Sequence, residues 1–141
     1  MTEQSFGKQL TANDTGESLS HQAGIHIPKS QTELIAFLPF LDPDVLNPSV
    51  WIDAVDEDGV AWRFRYIYYN NRLHVPGGTR NEYRMTHMTA YFRSRGAKTG
   101  QRFLIAGEPR AGRLRICTDD AEASTVIEAR PVELRGWRRV H

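Results

Sequence analysis

Residues 50–69, VWIDAVDEDGVAWRFRYIYY, decide the fold of this 141-residue chain. Both ends of the stretch are rich in β-branched and aromatic residues, and Asp58-Gly59 between them is typical of a tight hairpin turn. Alternation in the second arm places four aromatic residues on one face, which we expect to be the core face: Trp62, Phe64, Tyr66 and Tyr68. The stretch therefore predicts a β-hairpin with one buried side.

Similar strand patterns recur on both sides of the hairpin. They cover residues 23–27, 101–106, 113–118 and 125–133. A Ser-Gln-Thr-Glu pattern from Ser30 predicts a capped helix that ends before Pro39, and residues 85–93 favour a second short helix. Six or seven strands with one or two short helices predict a mainly β chain that forms an antiparallel barrel or half-open barrel.

Chain length and composition limit the class of protein. A chain of 141 residues fits one domain, so we expect 1–141 to be a single unit. No apolar run is long enough for a membrane span and the first residues do not resemble a signal peptide, which favours a cytoplasmic protein. Cys117 is the single cysteine, so an internal disulfide and a cysteine zinc cluster are excluded.

Charge is strongly segregated along the chain, although the net charge is only +1. Residues 1–60 carry two Lys against ten acidic residues, a balance of −8, whereas residues 61–115 carry eleven Arg and one Lys against two acidic residues, a balance of +10. Arginine accounts for fifteen of the eighteen basic residues, and its guanidinium group suits phosphates and guanine edges. A GC-rich genome would also enrich arginine, but segregation within one domain favours an anionic partner bound by one face.

The side chains needed for common catalytic sites do not occur in the required patterns. Magnesium-dependent nucleases of the restriction type need an acidic pair with a Lys shortly after it, and no lysine here lies two residues after an acid. The acidic run from Asp53 to Asp58 flanks a turn and is interpreted as a solvated cluster, while Cys117 lies within a predicted strand and is interpreted as a core residue. The five histidines lack zinc-ligand spacing and no P-loop is present, so we expect no catalytic residue, metal site or cofactor.

Two polar loops, residues 8–22 and residues 76–86, lie beside predicted strands and contain side chains of the types that read base edges. Arginine pairs with guanine, Asn or Gln pairs with adenine, and a carboxylate accepts from the cytosine amino group. The alternative interpretations are an Asx turn at residues 11–16 and an exposed helix start in the second loop. On such a helix Glu82 would pair well with neither Arg80 nor Arg84, which weakens the helical interpretation.

Five segments at and between these loops carry a family pattern: KQLTANDTG (8–16), HQAGIHIP (21–28), LNPSV (46–50), IYYNNR (67–72) and GGTRNEYRMT (77–86). Together they resemble the N-terminal effector-binding domain of EcoRII-type restriction endonucleases. The resemblance implies a seven-stranded half-open DNA-binding pseudobarrel, the fold of plant B-three transcription-factor domains. In that fold an N-arm, here residues 8–22, and a C-arm, here residues 76–86, enter the major groove of double-stranded DNA.

The resemblance also implies which residues contact DNA. In the N-arm and the strand after it they are Lys8, Thr11, Asn13, Asp14, Thr15, His21, Gln22 and His26, and in the C-arm they are Arg80, Asn81, Glu82 and Arg84. Three positions depart from the family pattern: His26 replaces an aromatic hydroxyl, and Gly78 and Tyr83 replace lysines. Because lysines mostly bind phosphates, we expect these changes to alter affinity more than sequence choice.

The resemblance further implies that the chain binds 5′-CCWGG, where W is A or T, or a close relative, as a monomer with one arm in each half-site. In the family the nuclease activity, which requires Mg²⁺, lies in a separate C-terminal domain, so we expect this chain alone not to cut DNA. Two alternatives stay open: a barrel that binds nucleic acid without sequence preference, and a barrel that binds a protein partner.

Overall fold

The computed structural model describes residues 3–16, 24–120 and 137–140. Within these residues eight strands form one sheet: β1 Gln4–Gln9, β2 Ile25–Ile27, β3 Ser49–Val55, β4 Ala61–Tyr69, β5 Glu82–Thr86, β6 Arg102–Gly107, β7 Arg113–Asp119 and β8 Trp137–Arg139. The helices are short: α1 Ala12–Thr15, α2 Thr32–Phe37, α3 Asn71–His74 and α4 Thr89–Arg95. The mainly β architecture is confirmed, with one strand more than the expected seven and with two single-turn helices beyond the two expected.

The sheet curls into a nearly closed barrel. Its strand order is β2-β5-β4-β3-β7-β6-β1-β8, and neighbouring strands are antiparallel except for the parallel pair β3 and β7. The two edge strands meet where the indole Nε1 of Trp137 on β8 donates a hydrogen bond of 3.3 Å to the carbonyl oxygen of His26 on β2. The half-open pseudobarrel expected for this sequence is therefore confirmed.

The hairpin of β3 and β4 forms as the sequence predicts. Phe64, Tyr66 and Tyr68 are buried, and Trp62 is partly buried against the same core. Other elements complete this core with large side chains: Phe6, Phe37, Tyr91, Phe92, Phe103 and Trp137. The core lies inside the barrel, so the outward side chains of β2 to β5 are left to form a surface.

The acidic run before the hairpin turn is not wholly solvated. Asp56 is buried, and its carboxylate accepts hydrogen bonds from the backbone N–H of Asp58 and Val60 and from the indole of Trp62. The Trp62 hydrogen bond is the main reason that the pKa of Asp56 lies below its ordinary value. Asp56 therefore stabilises the turn, because a carboxylate that satisfies these donors cannot be replaced without leaving them unpaired.

Several predicted element boundaries are wrong. The helix after Ser30 begins with Gln31 as its N-cap, without a side-chain capping bond, because residues 28–31 form a turn closed by Gln31 N–H and the Pro28 carbonyl. Met85 lies in β5 and pairs with Tyr66, so the second helix begins only at Thr89. The predicted strand at 125–133 lies outside the described residues, and Cys117 is only half-buried.

No helix in the described part of the chain is long and apolar enough to cross a membrane.

Candidate nucleic-acid interface

The first part of the N-arm is a helical turn that is capped at both ends. Thr11 is the N-cap of α1: its hydroxyl accepts from the backbone N–H of Asp14 at 3.3 Å, and the Asp14 carboxylate accepts from the Thr11 N–H at 3.0 Å. This reciprocal pair is a capping box with Asp in place of the usual Glu. Gly16 ends the turn in the left-handed conformation, at φ 84°. The Asx-turn interpretation of residues 11–16 is therefore replaced by a capped helical turn.

Asp14 also holds the arm to the barrel. Its Oδ2 accepts from the Lys8 ammonium at 2.6 Å, and the Lys8 and Asp14 residues are 7% and 5% exposed. The Asp14 carbonyl accepts from the N–H of Gly24, just before β2. Breaking a buried ion pair is costly because the remaining charge is uncompensated. The pair therefore fixes the N-arm turn between β1 and β2.

The C-arm enters the sheet as a strand, and the helical alternative is wrong. Glu82 Oε2 accepts from Arg80 Nη2 at 3.0 Å and lies 3.5 Å from Arg84 Nη1. Residues two apart lie on the same face of a strand, so one carboxylate bridges both guanidinium groups. The C-arm thus presents a row of alternating charges: Arg80 is positive, Glu82 is negative and Arg84 is positive.

Side chains of β4 and α3 hold Arg80 and Asn81 in place. The Arg80 guanidinium carbon lies 3.7 Å from the ring centroid of Tyr69, and the Arg80 backbone N–H donates to the side-chain oxygen of Asn71 at 2.8 Å. The Tyr68 hydroxyl donates to the side-chain oxygen of Asn81. Tyr68, Tyr69 and Asn71 all lie in the segment IYYNNR, so the family resemblance contained the signal although it assigned them no role.

The two arms meet in one cleft of about 320 Å³. Seven of the twelve predicted contact residues line it, together with Pro28: Lys8, Thr11, Asn13, Asp14, His26, Glu82 and Arg84. Arg80 and Asn81 precede Glu82 in the C-arm but do not line the cleft, and Thr15 hydrogen-bonds back to α1. His21 and Gln22 lie outside the described residues.

His26 connects the arms electrostatically. It lies opposite Arg84 in the register of β2 and β5. Desolvation by its surroundings is the largest cause that keeps the pKa of His26 below 6.5; Arg84 and Lys8 lower it further, while Glu82 and Asp14 oppose them. These four charges come from both arms, so the pKa of His26 depends on residues of both arms.

Glu82 stays ionised in this setting. Partial burial alone would raise its pKa, but the hydrogen bond from Arg80 and the charges of Arg80 and Arg84 outweigh that effect, so the pKa lies below its ordinary value. A carboxylate held ionised between two guanidinium groups can accept a hydrogen bond from a cytosine amino group while they donate to guanine or phosphate.

The packing around residues 78 and 83 explains why Gly78 and Tyr83 fit these two C-arm positions better than lysines would. A Cβ atom on Gly78 would lie 2.3 Å from the Asn71 carbonyl oxygen, so a lysine at 78 would require the backbone to move. Tyr83 stacks on Tyr68, with 4.2 Å between ring centroids and 5° between ring planes.

Within the described residues, no group of three or more His, Cys, Asp or Glu residues is placed to hold a metal ion.

The pseudobarrel with two arms is a fold class that includes a protein solved on DNA. The chain is similar to the Arabidopsis protein FUS3 in a FUS3–DNA complex, with a TM-score of 0.59 and 21% sequence identity over 81% of this chain and 94% of that one. At this identity the likeness concerns the fold.

The family is defined by the sequence itself. A family model described as restriction endonuclease EcoRII, N-terminal, matches residues 2–118, and the chain therefore belongs to this family. It is also 42% identical to the type II restriction enzyme EcoRII of Escherichia coli over 90 residues, which are 61% of this chain and 22% of that enzyme. The resemblance found in the sequence is confirmed, and the chain spans about a fifth of this relative's length.

Proposed function

We propose that this chain, residues 1–141, is a sequence-specific double-stranded DNA recognition domain of a type II restriction endonuclease that reads 5′-CCWGG or a close relative. The cleft that joins residues of both arms is the observation that carries this proposal. Family membership and the fold shared with a protein solved on DNA support it.

The chemistry of the C-arm suits a half-site of cytosines and guanines. Arg80 offers a fork of donors for guanine O6 and N7, and Glu82 offers an acceptor for the cytosine amino group. The stacking of Arg80 on Tyr69 and its ion pair with Glu82 order these groups before DNA arrives, so less side-chain entropy is lost on binding. In the N-arm, Lys8 and Asp14 act by holding the turn that presents Thr11 and Asn13, and His21 and Gln22 supply further contacts.

The domain binds as a monomer, one arm in each half-site, and needs no cofactor for binding. Mg²⁺ is required only by the nuclease domain of the full-length enzyme, which follows this domain; the small share of the E. coli enzyme that the chain spans supports this arrangement. The pure chain should leave plasmid DNA intact in Mg²⁺ or Mn²⁺. Nicking that disappears when one acidic residue is changed would contradict this part of the proposal.

Fluorescence anisotropy tests the recognition itself. At fixed salt, a 5′-CCWGG duplex should bind on the order of 10³-fold more tightly than a scrambled duplex, and single strands and RNA should behave like the scrambled duplex. Equal affinity for all nucleic acids would favour the non-specific barrel. Absence of any binding would favour the protein-interaction barrel.

A further inference from the structure

The outer face of the hairpin lies near the cleft residue Arg84, with the buried Ile67 between them. The register places His26, Arg84 and Ile67 side by side on β2, β5 and β4. The next outward row places Arg65 of β4 opposite Trp51 of β3. From strand spacing and rise, the Cα atoms of Arg65 and Arg84 lie on the order of 8 Å apart. The outward face of the hairpin therefore adjoins the C-arm.

An ordered aromatic and basic cluster occupies this face. The Trp51 side chain is 47% exposed although it lies in the middle of a strand. The Arg63 guanidinium lies 5.2 Å from the Trp51 ring centroid, and the His87 ring meets Trp51 nearly edge-on at 5.0 Å. His87 adopts a φ of 65°, a backbone conformation that non-glycine residues rarely adopt and that is enriched at functional sites.

The charges of the cluster are available to an anion. Arg63 pairs with Asp53 at 3.5 Å, but both side chains are about two-thirds exposed, so the pair contributes little and can exchange for another partner. Arg65 donates from Nε to the Ser49 hydroxyl, which leaves its terminal amino groups available for an anion.

We propose that Trp51, Arg63, Arg65 and His87, the outer basic surface, form a second DNA contact that binds the phosphate backbone flanking the sequence read by the arms. This inference rests on the proposed function. Guanidinium forks and an imidazole suit phosphate oxygens, and the exposed indole covers the adjoining sugar. The nearness of Arg65 to the cleft residue Arg84 and the positive charge of the surface favour flanking DNA over a protein partner.

Duplex length provides the test. One duplex carries 5′-CCWGG with minimal ends, and the other adds flanks of about ten base pairs, one helical turn, on each side. The unmodified chain should bind the longer duplex about tenfold more tightly than the shorter one. This gain is counted after subtracting the effect of added non-specific sites, which a scrambled duplex of equal length measures. The double variant Arg63→Gln/Arg65→Gln should lose this gain, and its log–log salt slope on the longer duplex should flatten by about two units.

Arg93→Gln is the matched control, since Arg93 is an exposed arginine on α4. It should keep the length-dependent gain. An equal gain in the double variant would overturn the inference, as would a double variant that weakens both duplexes equally.

Acrylamide quenching of tryptophan fluorescence gives a second readout on the unmodified chain. The longer duplex should protect Trp51 from quenching and the shorter duplex should not, and Trp51→Phe should remove the difference. If neither duplex binds, the proposed function fails. If both bind equally and Trp51 stays accessible, the proposed function survives and this inference fails.

Discussion

Arg80 differs from Arg84, the other C-arm arginine, because its guanidinium is both stacked and paired. It lies over Tyr69 and bonds Glu82 at the same time. A lysine would keep the charge but lose the planar fork that stacks and that reads guanine with two parallel hydrogen bonds. We therefore expect the planar shape of the Arg80 guanidinium, in addition to its charge, to determine which DNA sequence is bound.

Arg80→Lys should lower the affinity for the 5′-CCWGG duplex by about 1–3 kcal/mol while scarcely changing affinity for a scrambled duplex or the salt slope. Competitive anisotropy at several salt concentrations measures both quantities. Arg72→Lys, at an exposed arginine on α3, is the control. Little or no weakening on the 5′-CCWGG duplex would mean that Arg80 contacts only phosphate, because a lysine keeps that charge.

We expect His26 to make DNA binding depend on pH. Its pKa in the free chain lies below 6.5, so the ring is neutral near pH 7. Phosphates brought close by DNA favour the charged ring and raise the pKa, so binding takes up a proton. Affinity should therefore increase as the pH falls through the pKa that the ring has in the complex, and level off below the lower pKa of the free chain.

His26→Gln should flatten this pH profile, whereas His74→Gln, on α3, should leave it unchanged. Binding titrations between pH 8 and pH 5.5, on the order of one pH unit on each side of an ordinary histidine pKa, measure the effect. An unchanged profile in His26→Gln would show that other groups take up the proton.

At the level of elements, the N-arm turn depends on the buried pair of Lys8 and Asp14. Lys8→Met should lower the free energy of unfolding by roughly 3–5 kcal/mol, because it leaves the Asp14 carboxylate buried without a cation. Adding Asp14→Asn should recover part of this loss, since the uncompensated charge disappears. Urea unfolding of both single variants and the double variant measures the coupling, with the exposed Lys29→Met as control. Additive losses would show that the two groups do not interact.

Elements with local signals could be predicted from the sequence. The hairpin at residues 50–69 has its turn, its alternation and its partner strand within twenty residues. Strand β1 offers only Phe6 as a large apolar residue, and its hydrogen bonds go to β6 and β8 far along the chain. The capping pattern at Ser30 was misleading, whereas the real capping box at Thr11 uses Asp14 and was missed.

For the candidate site, the residues could be predicted from the sequence but their contacts could not. The family motif named the residues of both arms, but the approach of Lys8, His26 and Glu82 depends on α1 turning back toward β2 and on the pairing of β2 with β5. No local pattern encodes contacts between residues so far apart. The role of Asp14 as a buried partner of Lys8 was likewise invisible before folding.

At the scale of the whole molecule, folding neutralises part of the segregated charge. Acidic residues from the first sixty positions form ion pairs with later arginines: Glu3 with Arg115, Glu33 with Arg139, Asp53 with Arg63, and Glu57 and Asp58 with Arg95. Arg80 and Arg84 of the C-arm and Arg65 of β4 are not among these ion pairs, and Arg84 lines the cleft. The positive surface that meets DNA is therefore smaller than the +10 balance of residues 61–115 suggests.

Even so, binding should weaken steeply with salt. Each neutralised phosphate contributes about −0.9 to the slope of log affinity against log salt, and five to eight contacts, an order-of-magnitude number, give a slope steeper than about −4. Anisotropy titrations with a duplex over a series of salt concentrations measure it. An affinity that does not change with salt would rule out phosphate contacts as a major term.

Selection from a random duplex pool shows most directly whether the two arms read a DNA sequence. The chain is incubated with the pool at moderate salt, and bound duplexes are recovered, amplified and sequenced over successive rounds. We expect enrichment of one short motif with two cytosines at one end and two guanines at the other, and loss of that motif when Arg80→Lys is used. A bound pool with no enriched motif would show that the arms hold DNA without reading its sequence.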